Sequence, residues 1–309
     1  MAISKKKAVI ILGMLLIVAV IGDAVLFYDY EITKSQTFSA AVEQYPYLDP
    51  AQGFYGNSDL LVSLLPLRKQ LNAIVSSTPG LTIYFEYLNT GANINENPQP
   101  FFPGSLMKIP VAMAVMKKID VGAWSLDDQL VLTDADRNPH YGTLYQLPSG
   151  TTFTVAQLLQ YMLVNSDDTA RSMFIRNLGE QDIEDVLNYL GLQDVFNTKN
   201  QISAQRYSNF FKALYEASYD SASSSQYLLQ LMSQPHDQEW LLSGVPPGVT
   251  FAHKIGVASS TYSDAGIFYP PSRPYLLTVA MHSESTTQVA AAMEQISSDI
   301  YQFVTQHEN

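Results

Sequence analysis

Polar and apolar positions follow three rhythms along this chain of 309 residues. The first is an unbroken apolar run. Lys5, Lys6 and Lys7 precede the uncharged residues 8–22, and after Asp23 the apolar character resumes through Ala24, Val25, Leu26 and Phe27. About 20 such residues span a bilayer, and the basic flank stays in the cytoplasm. Residues 1–7 are therefore expected as a cytoplasmic tail and 8–28 as a single-pass anchor in the cell membrane, with the rest of the chain outside the cytoplasm. Gly22-Asp23-Ala24 also has the small-x-small form of a signal-peptide cleavage site, so secretion after cleavage is the alternative. Residues 29–60 have weak periodicity and Pro/Gly punctuation, and read as a stalk.

The second rhythm is helical. Leu64, Leu67, Leu71, Ile74 and Val75 mark one amphipathic helix, which Thr78-Pro79-Gly80 ends. Thr154-x-x-Gln157 is a capping box opening a helix over 155–164. A break at Asn165-Ser166-Asp167-Asp168 follows. Further helices are predicted over 169–178, 180–190 (stopped by Gly191), 203–217, 223–232 and 289–304. The third rhythm is alternation. It predicts strands over 81–88 and 92–97, joined by an Asn89-Thr90-Gly91 turn, and over 249–257, 264–269 and 275–281. Residues 124–150 read as mixed loop. Strands at both ends of a helical block predict an α/β (α+β) domain over 61–309. Its antiparallel sheet would be shared by the first and last strands, with helices on both faces and a helical lobe over about 119–232.

Composition narrows the chemistry. The net charge of −12 argues against nucleic acid, which needs a basic face. Cysteine is absent, which excludes disulfides, thiol catalysis and Cys-based zinc sites. The five histidines, His140, His236, His253, His282 and His307, are scattered without metal-ligand spacing and read as surface or core residues. Asp127, Asp128, Asp134 and Asp136 fit no EF-hand loop and read as solvated turns. No metal or other cofactor is expected, and the domain is expected to be a monomer.

The chemistry centres on Pro103-Gly104-Ser105-Leu106-Met107-Lys108-Ile109-Pro110. Read as a helix start, it puts Ser105 and Lys108 on one face, with the amine in reach of the hydroxyl. A neutral lysine can take the proton of a serine. Burial and the positive end of the helix dipole would both keep it near neutrality. The pair alone is weak, since Ser-x-x-Lys occurs by chance about once in a chain of this size. A capped surface helix with an exposed lysine is the competing reading.

Two further stretches change that weight: Ser166-Asp167-Asp168 at an interhelical turn, and Lys254-Ile255-Gly256 in a strand. In this order and these settings, the three resemble the class A β-lactamases and the related low-molecular-weight penicillin-binding serine peptidases, over about residues 61–304. The resemblance implies the β-lactamase/transpeptidase-like fold and an acyl-transfer reaction on β-lactams or on peptidoglycan stem peptides. It makes Ser105 the acylated nucleophile, Lys108 its proton acceptor and Ser166 the proton shuttle to the leaving nitrogen. Lys254 would supply charge beside the site, and Asp168, Gly256 and Val257 would contact substrate. The backbone N–H groups of Ser105 and Val257 would form the oxyanion hole.

Three departures from the family pattern stand beside these matches. Asp168 replaces an asparagine that donates to the substrate's acylamide, and an ionised carboxylate cannot donate. Ile255 replaces a hydroxyl residue that helps bind the substrate carboxylate, for which Ser259, Ser260 or Thr261 are possible substitutes. The loop after Gly191 lacks the glutamate that activates the deacylating water; Asp194 is its only carboxylate. Slow deacylation is expected. Three readings stay open: a β-lactamase or D,D-peptidase, a hydrolase of the same fold with another ester or amide substrate, and a membrane-anchored penicillin-binding sensor with little turnover.

Overall fold

The computed structural model describes residues 22–24, 26–28, 30, 32, 46–48, 63–194, 200–235, 240–271 and 273–306. The chain divides into two units, Met1–Pro46 with Pro50–Gly53 and Tyr47–Asp49 with Phe54–Asn309. In the first, residues 22–24, 26–28, 30 and 32 are helical. The rest of the anchor expected over 8–28, and most of the expected stalk, lie outside the described residues. Among the described residues no helix is long and apolar enough to cross a membrane. Within the second unit, Tyr47 is held to the domain: its N–H donates to Gln226 Oε1 (3.0 Å) and its carbonyl accepts from Tyr269 OH (2.9 Å).

The domain is built on a five-stranded antiparallel sheet. In chain order the strands are β1 (Leu81–Tyr87), β2 (Asn93–Glu96), β5 (Phe251–Ala258), β6 (Thr261–Phe268) and β7 (Tyr275–His282), in spatial order β2-β1-β7-β6-β5. The first and last strands thus share one sheet, with Leu81 opposite Met281 and Tyr87 opposite Tyr275. Every residue of β1 is buried, because helices cover both faces. On one face Leu67 and Leu71 of α1 (Leu65–Ser77) and Val289, Met293, Ile296 and Ile300 of α8 (Thr286–Gln306) pack against Ile83, Phe85, Leu277 and Val279. On the other lies α6 (Ala204–Tyr215), where Ser208 Oγ meets Thr278 Oγ1 at 2.9 Å and Lys212 pairs with Glu86 at 2.6 Å.

Between the strand groups comes the helical lobe, with α2 (Lys108–Asp120), α3 (Val155–Leu163), α4 (Asp168–Asn177), α5 (Glu180–Tyr189) and α7 (Ala222–Met232) around α6. Every residue of α2 from Lys108 to Met116 is buried, as a helix apolar on all sides must be. The Thr154 capping box forms as expected, both reciprocal bonds being present.

Two expectations need correction. Residues 124–150 are not all loop: β3 (Gln129–Val131) pairs with β4 (Thr152–Thr154) in a separate two-stranded sheet. Strand β6 begins at Thr261, three residues earlier than expected. Its start carries the polar residues Ser263 and Asp264, which are buried and bonded, so polarity there did not mean a loop.

Candidate active site

Ser105 does not sit in the α-helix itself. Gly104–Met107 forms a 3-10 turn, and α2 starts at Lys108. That turn lies directly on the edge strand β5. Gly104 has φ +53°, and a Cβ there would stand 2.5 Å from the Val257 carbonyl oxygen. Across the contact, a Cβ on Gly256 would collide with the Pro103 carbonyl and meet Leu106 Cγ at 2.8 Å. Both positions therefore require glycine, and together they set the Ser105 backbone beside Val257. The buried Tyr207 of α6 fixes the turn from below, its OH donating to the Leu106 carbonyl at 3.0 Å.

Lys108 is fully buried, and four oxygens surround its amine. Nζ lies 2.9 Å from Ser105 Oγ, 2.6 Å from the Ser166 carbonyl, 3.1 Å from Ser166 Oγ and 2.6 Å from Asp168 Oδ1. An ammonium has three N–H groups, so this cage is more than satisfied. Burial pushes the Lys108 amine below the ordinary lysine range, and the Asp168 carboxylate opposes that shift. Asp168, expected from the resemblance to contact substrate, is here the ion-pair partner of Lys108.

Ser166 reaches these groups through an unusual backbone. Its φ of +54° is in the left-handed region, where a non-glycine residue costs about 1–3 kcal/mol and needs support from its surroundings. Asp167 supplies the support. It is buried, caps α4 by accepting from Ala170 N (2.9 Å), and accepts from Thr143 N (2.7 Å) and Leu144 N (3.0 Å). Asp168 N donates to the Tyr141 carbonyl at 3.0 Å. The turn at 166–168 and the segment before Leu144 are therefore zipped together.

Lys254 arrives from β5. It is buried, and its Nζ donates to Ser166 Oγ at 3.1 Å. Burial first, and then the neighbouring Lys108, lower its pKa to about 7. Behind it, on the opposite side of β5, buried His253 contacts Asp264 at 2.7 Å and ties β5 to β6.

Ser105, Ser166, Asp168, Lys254, Ile255 and Val257 line one cleft of about 260 Å³, together with His140, Tyr141, Val164 and Asn165. Lys108 forms its buried floor. All four residues expected to carry the chemistry are thus brought together. Gly256 is buried under the 3-10 turn and contributes close approach, while Val257 lines the cleft. Among the described residues no group of three or more His, Cys, Asp or Glu could hold a metal ion. An amine on a serine hydroxyl, a second hydroxyl on the same amine, and two backbone N–H groups beside them can support acyl transfer.

Residues 66–304 match the family described as the beta-lactamase enzyme family. The chain belongs to that family. Among its relatives, beta-lactamase VEB-1 of Pseudomonas aeruginosa is 25% identical over 229 residues, which are 63% of this chain and 74% of that protein. The structure of PBP-A superposes with a TM-score of 0.71 at 25% identity, covering 79% of this chain and 97% of that one. A beta-lactamase from Sphaerobacter thermophilus, at 22% identity and TM-score 0.71, covers 79% of this chain and 99% of its own, and shares the fold.

Against the family pattern, the three departures resolve differently. Ile255 lines the cleft, but Ser259 and Ser260 form the tight β5–β6 turn with φ of +49° and +58° and, like Thr261, do not line it. Asp194 is exposed, engaged by Arg206 (Nη1 to Oδ2, 2.9 Å), and absent from the cleft lining. Residues 195–199 of that loop lie outside the described residues. His140 and Tyr141 were not singled out from the sequence. The one local signal was Gly142: with φ +94°, its missing side chain leaves room for the Asp167 carboxylate.

Proposed function

We propose that the protein is an active-site-serine hydrolase that forms an acyl-enzyme with β-lactams or with D-Ala-D-Ala-type peptidoglycan peptides. The observation that carries this reading is the Lys108 amine 2.9 Å from Ser105 Oγ and 3.1 Å from Ser166 Oγ, with Lys254 on the same hydroxyl. With its own proton lost, a form that burial favours and the Asp168 carboxylate opposes, Lys108 takes the Ser105 proton as Oγ attacks the carbonyl carbon. The carbonyl oxygen, now negative, is held by the N–H groups of Ser105 and Val257. When the C–N bond breaks, Ser166 gives its proton to the leaving nitrogen and is resupplied by Lys108. Lys254 holds Ser166 and contributes positive charge for an anionic substrate. A variant of PBP-A described as an acyl-enzyme complex with penicillin G is a structural neighbour at TM-score 0.71 and 24% identity, consistent with this chemistry on the fold.

Hydrolysis of the acyl-enzyme needs a base aimed at water, and among the described residues Asp168 is the one carboxylate lining the cleft. It is already bound to Lys108. Slow deacylation follows, which favours a D,D-peptidase or weak β-lactamase over an efficient β-lactamase. We further propose residues 8–28 as an anchor holding the domain outside the cytoplasm. A second reading, a hydrolase of the same fold acting on another ester or amide, is favoured by Ile255 and by the acidic side chain at 168. A chromogenic cephalosporin assay beside a fluorescent-penicillin gel separates these. Hydrolysis marks a β-lactamase, labelling without hydrolysis marks a peptidase or sensor, and the absence of both overturns the first reading in favour of the second.

A further inference from the structure

The two arginines of α4 are held in different ways. Arg176 pairs with the buried Asp136 at 2.7 Å and donates to the Val131 carbonyl at 2.7 Å. Arg171 is half-buried, and its guanidinium makes no hydrogen bond or ion pair to any described residue. Burial holds it below the ordinary arginine range, and the Asp168 carboxylate opposes that shift. A charge withdrawn from water without a partner costs stability, so stability does not account for an arginine here. Its place on the helix relates it to the cleft floor. Arg171 follows Asp168 by three residues, and helical side chains three apart share a face and lean toward the N-terminus. The guanidinium therefore lies over the turn that carries Asp168, whose Oδ1 is already on Lys108 at 2.6 Å. The charged groups facing Lys108 are Asp167, Asp168 and Arg171 from the start of α4, and Lys254 from β5. The two carboxylates favour the ammonium form of Lys108, and the two cations disfavour it.

We propose that Arg171 is a positioning residue for acylation: its charge balances that of Asp168 and so leaves Lys108 able to take the Ser105 proton. The inference rests on the acyl-enzyme reading given above. An asparagine at 168, the residue of the family pattern, would bring no charge to the lysine. The carboxylate present here favours an ammonium at Lys108, and an ammonium has no lone pair with which to accept a proton. Arg171 supplies the opposing charge from one turn further along the same helix. Asp168 and Arg171 thus work as a pair, although they form no ion pair with each other.

The test is the pH dependence of the acylation rate constant at saturating benzylpenicillin, read as the mass increase of the intact protein. Saturation removes the capture step, to which Lys254 contributes, from the comparison. In the wild type the rate should rise with pH as Lys108 loses its proton. Arg171→Gln leaves the carboxylate unopposed, so the rise should move to higher pH. A move of about half a pH unit costs about threefold in rate on the acid side and nothing on the alkaline plateau. Arg171→Lys keeps the charge and should keep the wild-type profile. Adding Asp168→Asn to Arg171→Gln should return the rise toward lower pH. An equal loss of rate at every pH, an unmoved profile, or an Arg171→Lys profile like that of Arg171→Gln would overturn the proposal. If no adduct forms at any pH, the acyl-enzyme reading fails by itself. The titration of Lys108 is then followed through its Cε signal in protein carrying 13C-labelled lysine, assigned by its loss in Lys108→Met. A higher titration pH in Arg171→Gln than in the wild type supports the counter-charge, and equal values overturn it.

Discussion

The floor of the cleft and the segment that follows Tyr189 both hold charged residues, but they use them in opposite ways. On the floor, Lys108, Ser166, Asp168 and Lys254 point inward and are bonded to one another within 2.6–3.1 Å. Such a network is expensive to bury, requires a strained backbone at Ser166 and is held by the Asp167 cap. After Tyr189, the carboxylate of Asp194 points outward and is engaged by Arg206 at the surface. The first region is built to attack a carbonyl. On the proposed reading, the described residues of the second offer the resulting ester no base. In this fold the two half-reactions rest on separate segments, so one can be retained while the other is lost.

Removing the attacking group should produce the largest effect. Ser105→Ala is expected to abolish covalent labelling by fluorescent penicillin while hardly moving the thermal midpoint, because catalytic groups are seldom placed for stability. Persistent labelling would put the nucleophile elsewhere.

Next in size is the substrate side of the floor. Ile255 lines the cleft where the family pattern has a hydroxyl residue. Ile255→Thr should speed acylation by carboxylate-bearing penicillins about ten- to a hundredfold, measured as the second-order rate of adduct formation. An unchanged rate would mean that the ring carboxylate is not read at this position.

A smaller, pH-dependent effect belongs to Lys254, whose pKa is lowered to about 7 by burial and by Lys108. Its charge is present below that pH and lost above it. The penicillin concentration that half-saturates acylation should therefore rise several-fold from about pH 6 to about pH 9, and Lys254→Arg should flatten the profile. Stability shows the same group with its own sign. The folded pKa lies below the unfolded value of 10.5, so the unfolded chain binds an extra proton between about 7 and 10.5 and stability rises with pH there. Lys254→Met should raise the thermal midpoint most below about pH 7, with the gain fading toward pH 10.5.

How much of this was visible in the sequence depends on the range over which each feature is determined. Ser105 with Lys108, the Thr154 capping box and the Asn89-Thr90-Gly91 hairpin are set by neighbours a few residues apart, and all form. The shared sheet was readable because β7 is largely apolar and the strand groups flank a helical block. The β3–β4 pair was hidden by strands of three residues each. His140 and Tyr141 reach the cleft because backbone groups of their segment bond to Asp167 and Asp168, and no spacing encodes that. The Asp168–Lys108 pair was equally hidden, as it joins two helices 60 residues apart in the chain through one buried contact.

The smallest expected effect is at the outward-facing carboxylate. Asp194→Asn should leave the lifetime of the adduct unchanged, since this side chain pairs with Arg206 and does not line the cleft. A longer lifetime in the variant would return Asp194 to the reaction and erase the contrast between the two regions.

That contrast is tested most directly by the lifetime of the adduct on the wild-type protein. After a brief exposure to excess penicillin and rapid removal of the unbound drug, intact-mass measurement should show one added penicillin on Ser105. A general base typically contributes about 10²–10⁴-fold to such a hydrolysis, so its lack should let the adduct persist for minutes or longer. Rapid multiple turnover with no detectable adduct would contradict the account and require an efficient deacylating base in the cleft.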